Sequence, residues 1–342
     1  MSRVTAVMLA VVLSVGTIVV VAQDPAPIAP VPPLPPPFSE WLIAFRAEAA
    51  ERGIRAEVLD QALDGVEPVA QILERDRAQA EFTLNLESYL KRRLTPAVVR
   101  NGQKMYTEHR SLLKKVGEKY GVSPRVVVAV WGLESNFGRF AGVRPTIPTL
   151  ATLAYDQRRG VMFRNELLSA LEILNRGDIE LEHLKGSWAG ALGQPQFMPS
   201  SYLQYAEDFD GDGRRDIWTS EPDVFASVAN YLKQHGWTQG DNWGREVKLV
   251  GKARTAAEAV PLREAGCRAE RAMTDPMPLK AWRKMGVRTM SDALVPALGR
   301  EASLVRAGKR SFLLYANYDA ILAYNCAHTY ALSVALLSDR LR

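Results

Sequence analysis

The chain has 342 residues, of which 47% are hydrophobic, 8% aromatic and 24% charged. This composition excludes a wholly disordered chain, and the lack of Gly-X-Y repeats, of sustained heptads and of several long apolar runs excludes collagen, coiled coils and polytopic membrane proteins. The net charge of +5 suits an anionic substrate or a membrane surface. Because the Lys and Arg residues are scattered, a nucleic-acid partner is not expected.

Residues 1–22 have the pattern of an export signal. Arg3 is the only charged residue before Asp24, the stretch from Val4 to Ala22 is nearly all apolar, and small residues precede Gln23 as at a cleavage site. The same run is long enough to remain as a single membrane anchor. No cysteine lies near it, so the sequence predicts an exported, periplasmic protein that is not a lipoprotein.

A proline-rich linker is predicted at residues 23–37, since eight of the chain's 20 prolines fall there. Such a segment adopts extended polyproline II and acts as a stiff tether.

The rest of the chain reads as mainly α-helical with a small β-containing insertion late in the sequence. Ser39 opens an amphipathic helix that Gly53 can end, and Ser123 with Pro124 starts the most informative helix. Short strands are predicted at residues 245–250 and 311–315 around a helical piece near Trp282. A single closing helix is predicted at about 318–340.

Only two cysteines occur, Cys267 and Cys326. In an exported protein they most simply form one disulfide; two buried thiols are the alternative. The four histidines are dispersed, which disfavours a histidine metal site.

Glu134 is the strongest candidate for chemistry. It follows Val127, Val130 and Trp131 at helical spacings, so its carboxyl group shares a face with apolar side chains. Gly138 can end this helix in the left-handed conformation, which places Glu134 at the negative end of the helix dipole. Both effects raise the pKa and favour the protonated acid that glycosidic cleavage needs. The alternative is a structural glutamate that turns toward solvent.

Several motifs in order resemble the lytic murein transglycosylase B family, glycoside hydrolase family 103. The resemblance spans about residues 38–341 and implies a lysozyme-like helical catalytic domain at 38–342, with a core at about 105–240 and an insertion at about 241–316. The motifs that carry it are Glu134-Ser-Asn-Phe-Gly-Arg139, the glycine-rich stretch 186–201, the acidic loop 208–218, Ser227-Val-Ala-Asn-Tyr-Leu232, Tyr324-Asn325 and Tyr330-Ala331.

The resemblance implies substrate-binding roles for four further residues. Ser187 is expected near the reacting sugar and the Glu134 carboxyl, Gln196 is expected to hold the glycan, and Asn325 and Tyr330 are expected to line the cleft. A serine nucleophile is excluded, because the stretch is not Gly-x-Ser-x-Gly and no histidine is spaced to assist it. Gln194-Pro195 departs from the aromatic-Gly pair that the family often has.

The acidic loop predicts a structural calcium ion. Asp208, Asp210 and Asp212 stand at positions one, three and five of an EF-hand pattern, and Arg214 is expected to offer its carbonyl oxygen. Thr219 replaces the usual final glutamate, and the resemblance suggests that Asp223 closes a lengthened loop. An acidic surface turn is the alternative.

Arg158 and Arg159 are candidate contacts for the acidic peptide stems of peptidoglycan. Two arginines on a solvated helix are an equally good reading.

The implied activity is cleavage of the MurNAc–GlcNAc β-1,4 bond with formation of 1,6-anhydro-MurNAc, with Glu134 as the single acid and base. The alternatives are a hydrolytic muramidase and a non-catalytic, calcium-dependent peptidoglycan-binding protein. Glycan strands are the expected partner, and cell-wall synthesis or division proteins are candidates. No oligomeric state follows from the sequence.

Overall fold

The computed structural model describes residues 36–79, 84–297 and 299–342. The predicted export signal and nearly all of the proline-rich linker lie outside the described residues. Within that range the fold is mainly helical, and its helices are α1 (Phe38–Glu51), α2 (Ala56–Leu63), α3 (Ala70–Gln79), α4 (Leu86–Arg93), α5 (Pro96–Glu108), α6 (Arg110–Tyr120), α7 (Pro124–Ser135), α8 (Thr146–Tyr155), α9 (Gly160–Arg176), α10 (Pro199–Tyr205), α11 (Glu221–Gln234), α12 (Lys252–Glu258), α13 (Leu279–Lys284), α14 (Ala316–Tyr324) and α15 (His328–Ser338).

Two small antiparallel sheets accompany the helices. The first joins β1 (Arg144–Pro145) to β2 (Lys185–Gly186). The second has the order β4-β6-β7-β3-β5 and consists of β3 (Gly244–Lys248), β4 (Met277–Pro278), β5 (Arg288–Thr289), β6 (Glu301–Ala307) and β7 (Arg310–Leu314). The mainly α class with a late β-containing region is therefore confirmed, although the sequence analysis missed β6, the longest strand of the second sheet.

The second sheet separates two hydrophobic clusters. Successive side chains of a strand point to opposite faces, and accordingly Leu304 and Leu313 join a small cluster around Trp282, whereas Val305 and Phe312 join the main helical core. One side of the sheet thus covers the late insertion's own interior, and the other side packs the insertion onto the helices.

The main core surrounds α7. Every residue from Val126 to Leu133 on this helix is buried, and α7 packs against α15, α5 and α11. A helix that is apolar all round has to be enclosed by its neighbours. Its one acidic residue, Glu134, is therefore carried into the middle of the helical assembly.

The predicted single closing helix is wrong. The segment is broken into α14 and α15, which meet at an angle of 118°. Asn325 and Ala327 have extended backbone conformations with ψ values of 116° and 125°, which no helix can continue through. Among the described residues no single helix is long and apolar enough to cross a membrane. Taken together, the bent pair α14 and α15 has the length and the apolar composition of a membrane span, but most of its residues are buried inside the protein.

Candidate active site

Glu134 lies in the last turn of α7, as the sequence predicts, but the residue that ends the helix is different. Asn136 takes the left-handed conformation with φ of 51°, and Phe137 and Gly138 follow with φ of 59° and 78°. Asparagine tolerates this region better than other residues with a β-carbon. The helix therefore ends two residues earlier than expected, and three left-handed residues turn the chain sharply just after Glu134.

Burial raises the pKa of Glu134 to about 7. The residue keeps partial solvent exposure, yet the dense packing around the carboxyl group disfavours its charged form. Two groups act in the opposite direction, the hydroxyl of Tyr330 and the positive charge of Arg93. The Arg93 guanidinium also donates a hydrogen bond to the carbonyl oxygen of Leu133, at the end of α7. The raised pKa thus lets the carboxyl group hold a proton near neutral pH, as a general acid must.

Two tyrosines adjoin Glu134. Tyr330 on α15 is 4% exposed, and its Oη makes no hydrogen bond of normal geometry within the described residues although it lies close enough to influence the carboxyl group. Tyr324, at the end of α14, stacks on Tyr330 with ring centroids 6.4 Å apart, and burial together with the Glu134 charge raises its pKa well above the usual value. Both tyrosines therefore lie close to the Glu134 carboxyl group, and a role of Tyr330 in lining a substrate cleft stays a prediction.

The glycine-rich stretch folds into a tight loop. The Ser187 hydroxyl oxygen accepts hydrogen bonds from the backbone N–H groups of Ala189 (3.3 Å) and Ala191 (3.2 Å), which leaves its own hydrogen free to donate. Gln196 has a left-handed φ of 55° and donates from Nε2 to the carbonyl oxygen of Gly193 at 2.8 Å. A positive φ at a residue with a long side chain is typical of functional sites.

This loop is fastened to α7, the helix that carries Glu134. Gln194 accepts a hydrogen bond from Trp131 Nε1 on α7 at 2.6 Å and donates one to the carbonyl oxygen of Trp218 at 2.8 Å. The hydroxyl of Tyr324 donates to the carbonyl oxygen of Pro195 at 2.7 Å. The Gln194-Pro195 pair, noted in the sequence as a departure, is thus what ties the loop to α7 and to α14.

A close backbone contact brings the start of the loop near the end of α7. A β-carbon on Gly142, which follows α7, would lie 2.4 Å from the carbonyl carbon of Gly186, the residue before Ser187. Only a glycine fits there.

Asn325 lies in the extended link between α14 and α15 rather than on a helix. Its side chain is exposed. The next residue, Cys326, forms the predicted disulfide with Cys267, with the two Cα atoms 6.3 Å apart. The disulfide therefore joins the late insertion to the link that carries Asn325.

The acidic loop brings three carboxylates together. Ligand oxygens of Asp208, Asp210 and Asp212 all lie within 4.8 Å of one another. Asp208 accepts hydrogen bonds from the backbone N–H groups of Gly211 (2.7 Å) and Gly213 (2.9 Å), which shapes the loop. Asp223 lies outside this group of three; it is fully buried and accepts from the backbone N–H groups of Phe209 and Asp216.

Arg158 and Arg159 lie in the turn before α9, not on a helix, and both form ion pairs with the buried Asp76. One carboxylate thus pairs with both guanidinium groups, and the two arginine side chains stay 44% and 42% exposed. The predicted helix is therefore wrong at these two residues, whereas the predicted solvent exposure is observed, and the contact with peptide stems stays a prediction.

Three residues of the site, Arg93, Tyr324 and Gln194, were missed as functional residues by the sequence analysis. Arg93 comes from α4, far from the motifs in sequence, so no local pattern could have indicated it. Tyr324 and Gln194 could have been found from their positions in the sequence, since Tyr324 precedes Asn325 and Gln194 lies two residues before Gln196.

The chain was compared with known proteins. The profile of the family described as "Transglycosylase SLT domain" matches residues 37–339. Membrane-bound lytic murein transglycosylase B of Escherichia coli (strain K12) is 42% identical over 154 residues, which are 45% of this chain and 42% of that protein. The chain thus matches less than half the length of this curated relative.

Two solved structures are similar over most of the chain. SltB3 from Pseudomonas aeruginosa in complex with NAG-NAM-pentapeptide is 42% identical with a TM-score of 0.80, covering 89% of this chain and 79% of that one. Escherichia coli Slt35 in complex with calcium is 28% identical with a TM-score of 0.72, covering 88% and 92%. Together with the profile, which matches nearly the whole described range, these likenesses confirm the resemblance: this chain belongs to the SLT-domain transglycosylase family.

Proposed function

We propose that this chain is a lytic transglycosylase that cleaves peptidoglycan at the MurNAc–GlcNAc β-1,4 bond and forms 1,6-anhydro-MurNAc. The observation that carries the proposal is a single desolvated acid, Glu134, with a pKa of about 7. The groups that lower its pKa against burial are Tyr330 and Arg93, and neither is a second carboxylate. A single acid that serves in turn as a base suits this arrangement better than a pair of carboxylates.

In the proposed reaction Glu134 acts first as an acid and then as a base. Its proton passes to the glycosidic oxygen as the bond to C1 of MurNAc breaks, and the N-acetyl group of the substrate stabilises the electron-poor C1. The Glu134 carboxylate then takes the proton from the C6 hydroxyl, whose oxygen bonds to C1. Tyr330 and Arg93 favour the ionised carboxylate, which helps the first proton to leave. The Ser187 hydroxyl and the Gln196 amide lie on the loop fastened to α7, where they would hold the glycan.

A Glu134→Gln variant tests this function. It should fold normally and release no anhydro-muropeptides from purified sacculi, as measured by mass spectrometry, because the amide cannot donate the proton. Glu118→Gln, which changes an exposed glutamate on α6, is the control and should stay active. Full activity of Glu134→Gln would overturn the assignment. Products with reducing ends would indicate a hydrolytic muramidase, and wild-type binding without cleavage would indicate the non-catalytic alternative.

We further propose that the acidic loop holds a structural calcium ion. The donor set fits, because calcium prefers carboxylate oxygens and Asp208, Asp210 and Asp212 converge. Arg214 would add its carbonyl oxygen as a ligand. Asp223 would hold the loop in shape, because its carboxylate accepts hydrogen bonds from the backbone N–H groups of Phe209 and Asp216. A similar protein, Slt35, is described in complex with calcium. The bound ion would stiffen the loop that also holds Trp218, the partner of Gln194.

Export to the periplasm is the third proposal, with residues 1–22 as the signal or anchor. A disulfide between Cys267 and Cys326 supports it, because such bonds persist in oxidising compartments. Peptidoglycan strands are the proposed partner, and SltB3 is described with a NAG-NAM-pentapeptide bound.

A further inference from the structure

The positive charge of the chain is concentrated in the late insertion. Residues 241–316 hold 15 of the 43 Lys and Arg residues but only eight of the 38 Asp and Glu residues. The insertion therefore has a formal charge of +7, whereas the rest of the chain has a formal charge of −2. Charge that is confined to one part of a molecule turns that part toward an anionic partner.

The sheet edge formed by β3 and β5 exposes apolar side chains. Lys248 lies opposite Arg288 in this pair, and Arg288 also bridges to Leu294 across the turn that follows β5. Four buried residues on these segments belong to the insertion's own hydrophobic cluster: Val247, Leu249, Val287 and Val295. Because successive side chains of a strand alternate, the alternate residues point away from that cluster. Three of the alternate residues are apolar and exposed, namely Val250 (65%), Met290 (51%) and Leu294 (38%).

Three cations without acidic partners lie next to this apolar edge. Lys252 and Arg254 flank Ala253 in the first turn of α12, and a β-carbon on Gly286 would lie 3.7 Å from the Ala253 β-carbon. The start of α12 therefore contacts the turn that follows Lys284, the last residue of α13. Lys252, Arg254 and Lys284 are exposed, and none of their side chains makes an ion pair or a hydrogen bond with the described residues. We call six residues the insertion tip: Val250, Lys252, Arg254, Lys284, Met290 and Leu294.

The acidic residues that adjoin the insertion tip in the sequence are already paired. Asp292, in the turn after β5, forms an ion pair of 2.9 Å with Lys248, and its carbonyl oxygen accepts a hydrogen bond from Arg288. Glu258, the last residue of α12, is paired with Arg306. The cations of the insertion tip therefore stay available to an external anion.

We propose that the insertion tip docks on the surface of a membrane that contains anionic phospholipids. Cations beside such a surface are attracted to its phosphate groups, and apolar side chains enter the boundary between the headgroups and the acyl chains. The exposed Val250, Met290 and Leu294 favour lipid over a polar glycan or an acidic peptide, because only lipid would remove their apolar surface from water. The proposed export puts the protein in a compartment bounded by membranes. The inference goes beyond the proposed function and does not depend on the reaction at Glu134.

A fluorophore on the insertion tip tests the proposal in the full chain. Met290→Cys is labelled with an environment-sensitive dye, and the two native cysteines stay unlabelled because they are joined in the disulfide. Vesicles of equal parts phosphatidylcholine and phosphatidylglycerol should shift the dye's emission to shorter wavelength, whereas vesicles of phosphatidylcholine alone should not. The dye reports contact by the tip itself, so the result is valid whether or not residues 1–22 also anchor the chain.

Two charge variants are compared in this labelled background. Lys252→Gln/Arg254→Gln/Lys284→Gln should lose most of the shift, since each cation near an anionic surface contributes about a fivefold gain in binding. Three exposed cations of the helical part that form no ion pair with the described residues provide a control of equal charge: Arg75→Gln/Lys91→Gln/Lys115→Gln. The control should keep the shift. Thermal unfolding of both variants checks that they are folded.

Four results would overturn the inference: no shift on the anionic vesicles, an equal shift on the neutral vesicles, an equal loss in the control variant, or an equal shift of a dye at Ser111→Cys, an exposed position on α6. A shift with polyglutamate and none with vesicles would also overturn it and would identify an acidic polypeptide as the partner. These readouts do not require activity, so failure of the inference is distinguishable from failure of the proposed function.

Discussion

At the scale of single residues, the proton on Glu134 is controlled by opposing effects. Burial raises its pKa to about 7, whereas the Tyr330 hydroxyl and the Arg93 charge lower it. A carboxyl group with a raised pKa keeps its proton to higher pH, so the acid-catalysed step should be available below pH 7 and lost as the pH rises through that value. Arg93 moves this loss to lower pH than burial alone would.

Arg93→Gln should therefore shift the basic limb of the pH–kcat profile to higher pH. Removing the cation takes away a group that stabilises the carboxylate, so the pKa of Glu134 should rise. The neighbouring Arg92→Gln, which changes an exposed arginine on the same helix, is the control and should leave the profile in place. The profile is measured from the rate of release of anhydro-muropeptides. A limb that stays in place, or moves to lower pH, in Arg93→Gln would contradict this assignment of its role.

How far the sequence predicts the site depends on whether a residue acts within its own helix. Glu134 could be predicted, because its spacing from Val127, Val130 and Trp131 determines which face it shares. Arg93 could not, because its effect depends on the packing of α4 against α15 and on the reach of its side chain to the Leu133 carbonyl oxygen at the end of α7. The same holds for Arg158 and Arg159, whose pairing with Asp76 joins residues about eighty positions apart.

At the scale of elements, one buried side chain connects the glycine-rich loop to its neighbours. Gln194 is 6% exposed and bonds both Trp131 on α7 and the carbonyl oxygen of Trp218. A change that removes these bonds without changing the volume leaves a buried indole N–H without a partner. The loop would then lose its link to α7, the helix that carries Glu134.

Gln194→Met should lower the free energy of unfolding by about 1–3 kcal/mol, the usual cost of an unsatisfied buried polar group. It should also lower kcat, because Gln196 and the carbonyl oxygen held by Tyr324 lie in the same loop. Urea denaturation gives the first quantity. Gln234→Met is the control: Gln234 is exposed and makes a single 3.3 Å hydrogen bond, so its replacement should change stability little. Equal stability of the two variants would show that the Gln194 bridge is not stabilising.

Calcium should stabilise the acidic loop. At a concentration one hundred times the dissociation constant, a ligand of the folded state adds about 2.7 kcal/mol, so Tm should rise with calcium and fall with a chelator. Asp210→Asn should abolish the rise because it removes a converging ligand, whereas Asp292→Asn, which changes an exposed carboxylate paired with Lys248, should keep it. Calorimetric scans with calcium and with magnesium measure the effect. A Tm that does not respond to calcium would favour the acidic surface turn.

The ends of helices are the features of the fold that the sequence patterns predict least well. The apolar run from Tyr318 onward predicts one helix, because periodicity alone does not register the extended conformation at Asn325 and Ala327. At α7, by contrast, Ser123 and Pro124 mark the first turn correctly, although the Ser123 side chain makes no capping hydrogen bond. The residues that start a helix are neighbours in the sequence, so a sequence pattern can reveal them. The break after α14, by contrast, lies where Cys326 is bonded to the distant Cys267.

At the scale of the whole molecule, that distant part is the late insertion. Cys267 is joined to Cys326, and the Ala269 N–H lies 3.3 Å from the Cys326 sulfur, so two positions of the insertion hold the link between α14 and α15 at a single residue, Cys326. Tyr324 and Tyr330 stand on the two sides of this link, and both adjoin Glu134. The geometry of the site thus depends on how the insertion is fastened to the helical core.

Reducing the disulfide should therefore weaken the fold and the activity together. The bond closes a loop with a sequence separation of 59, and the loss of such a constraint costs about 2–4 kcal/mol. Urea denaturation of wild-type protein with and without dithiothreitol measures this loss. The Cys267→Ser/Cys326→Ser variant is the control: it should match the reduced wild type in stability and in its lowered kcat, and dithiothreitol should leave it unchanged. Because the link carries Asn325, we expect kcat to fall on reduction even without urea, where the reduced protein is fully folded. An unaltered kcat under these conditions would mean that the insertion stabilises the molecule without positioning the site.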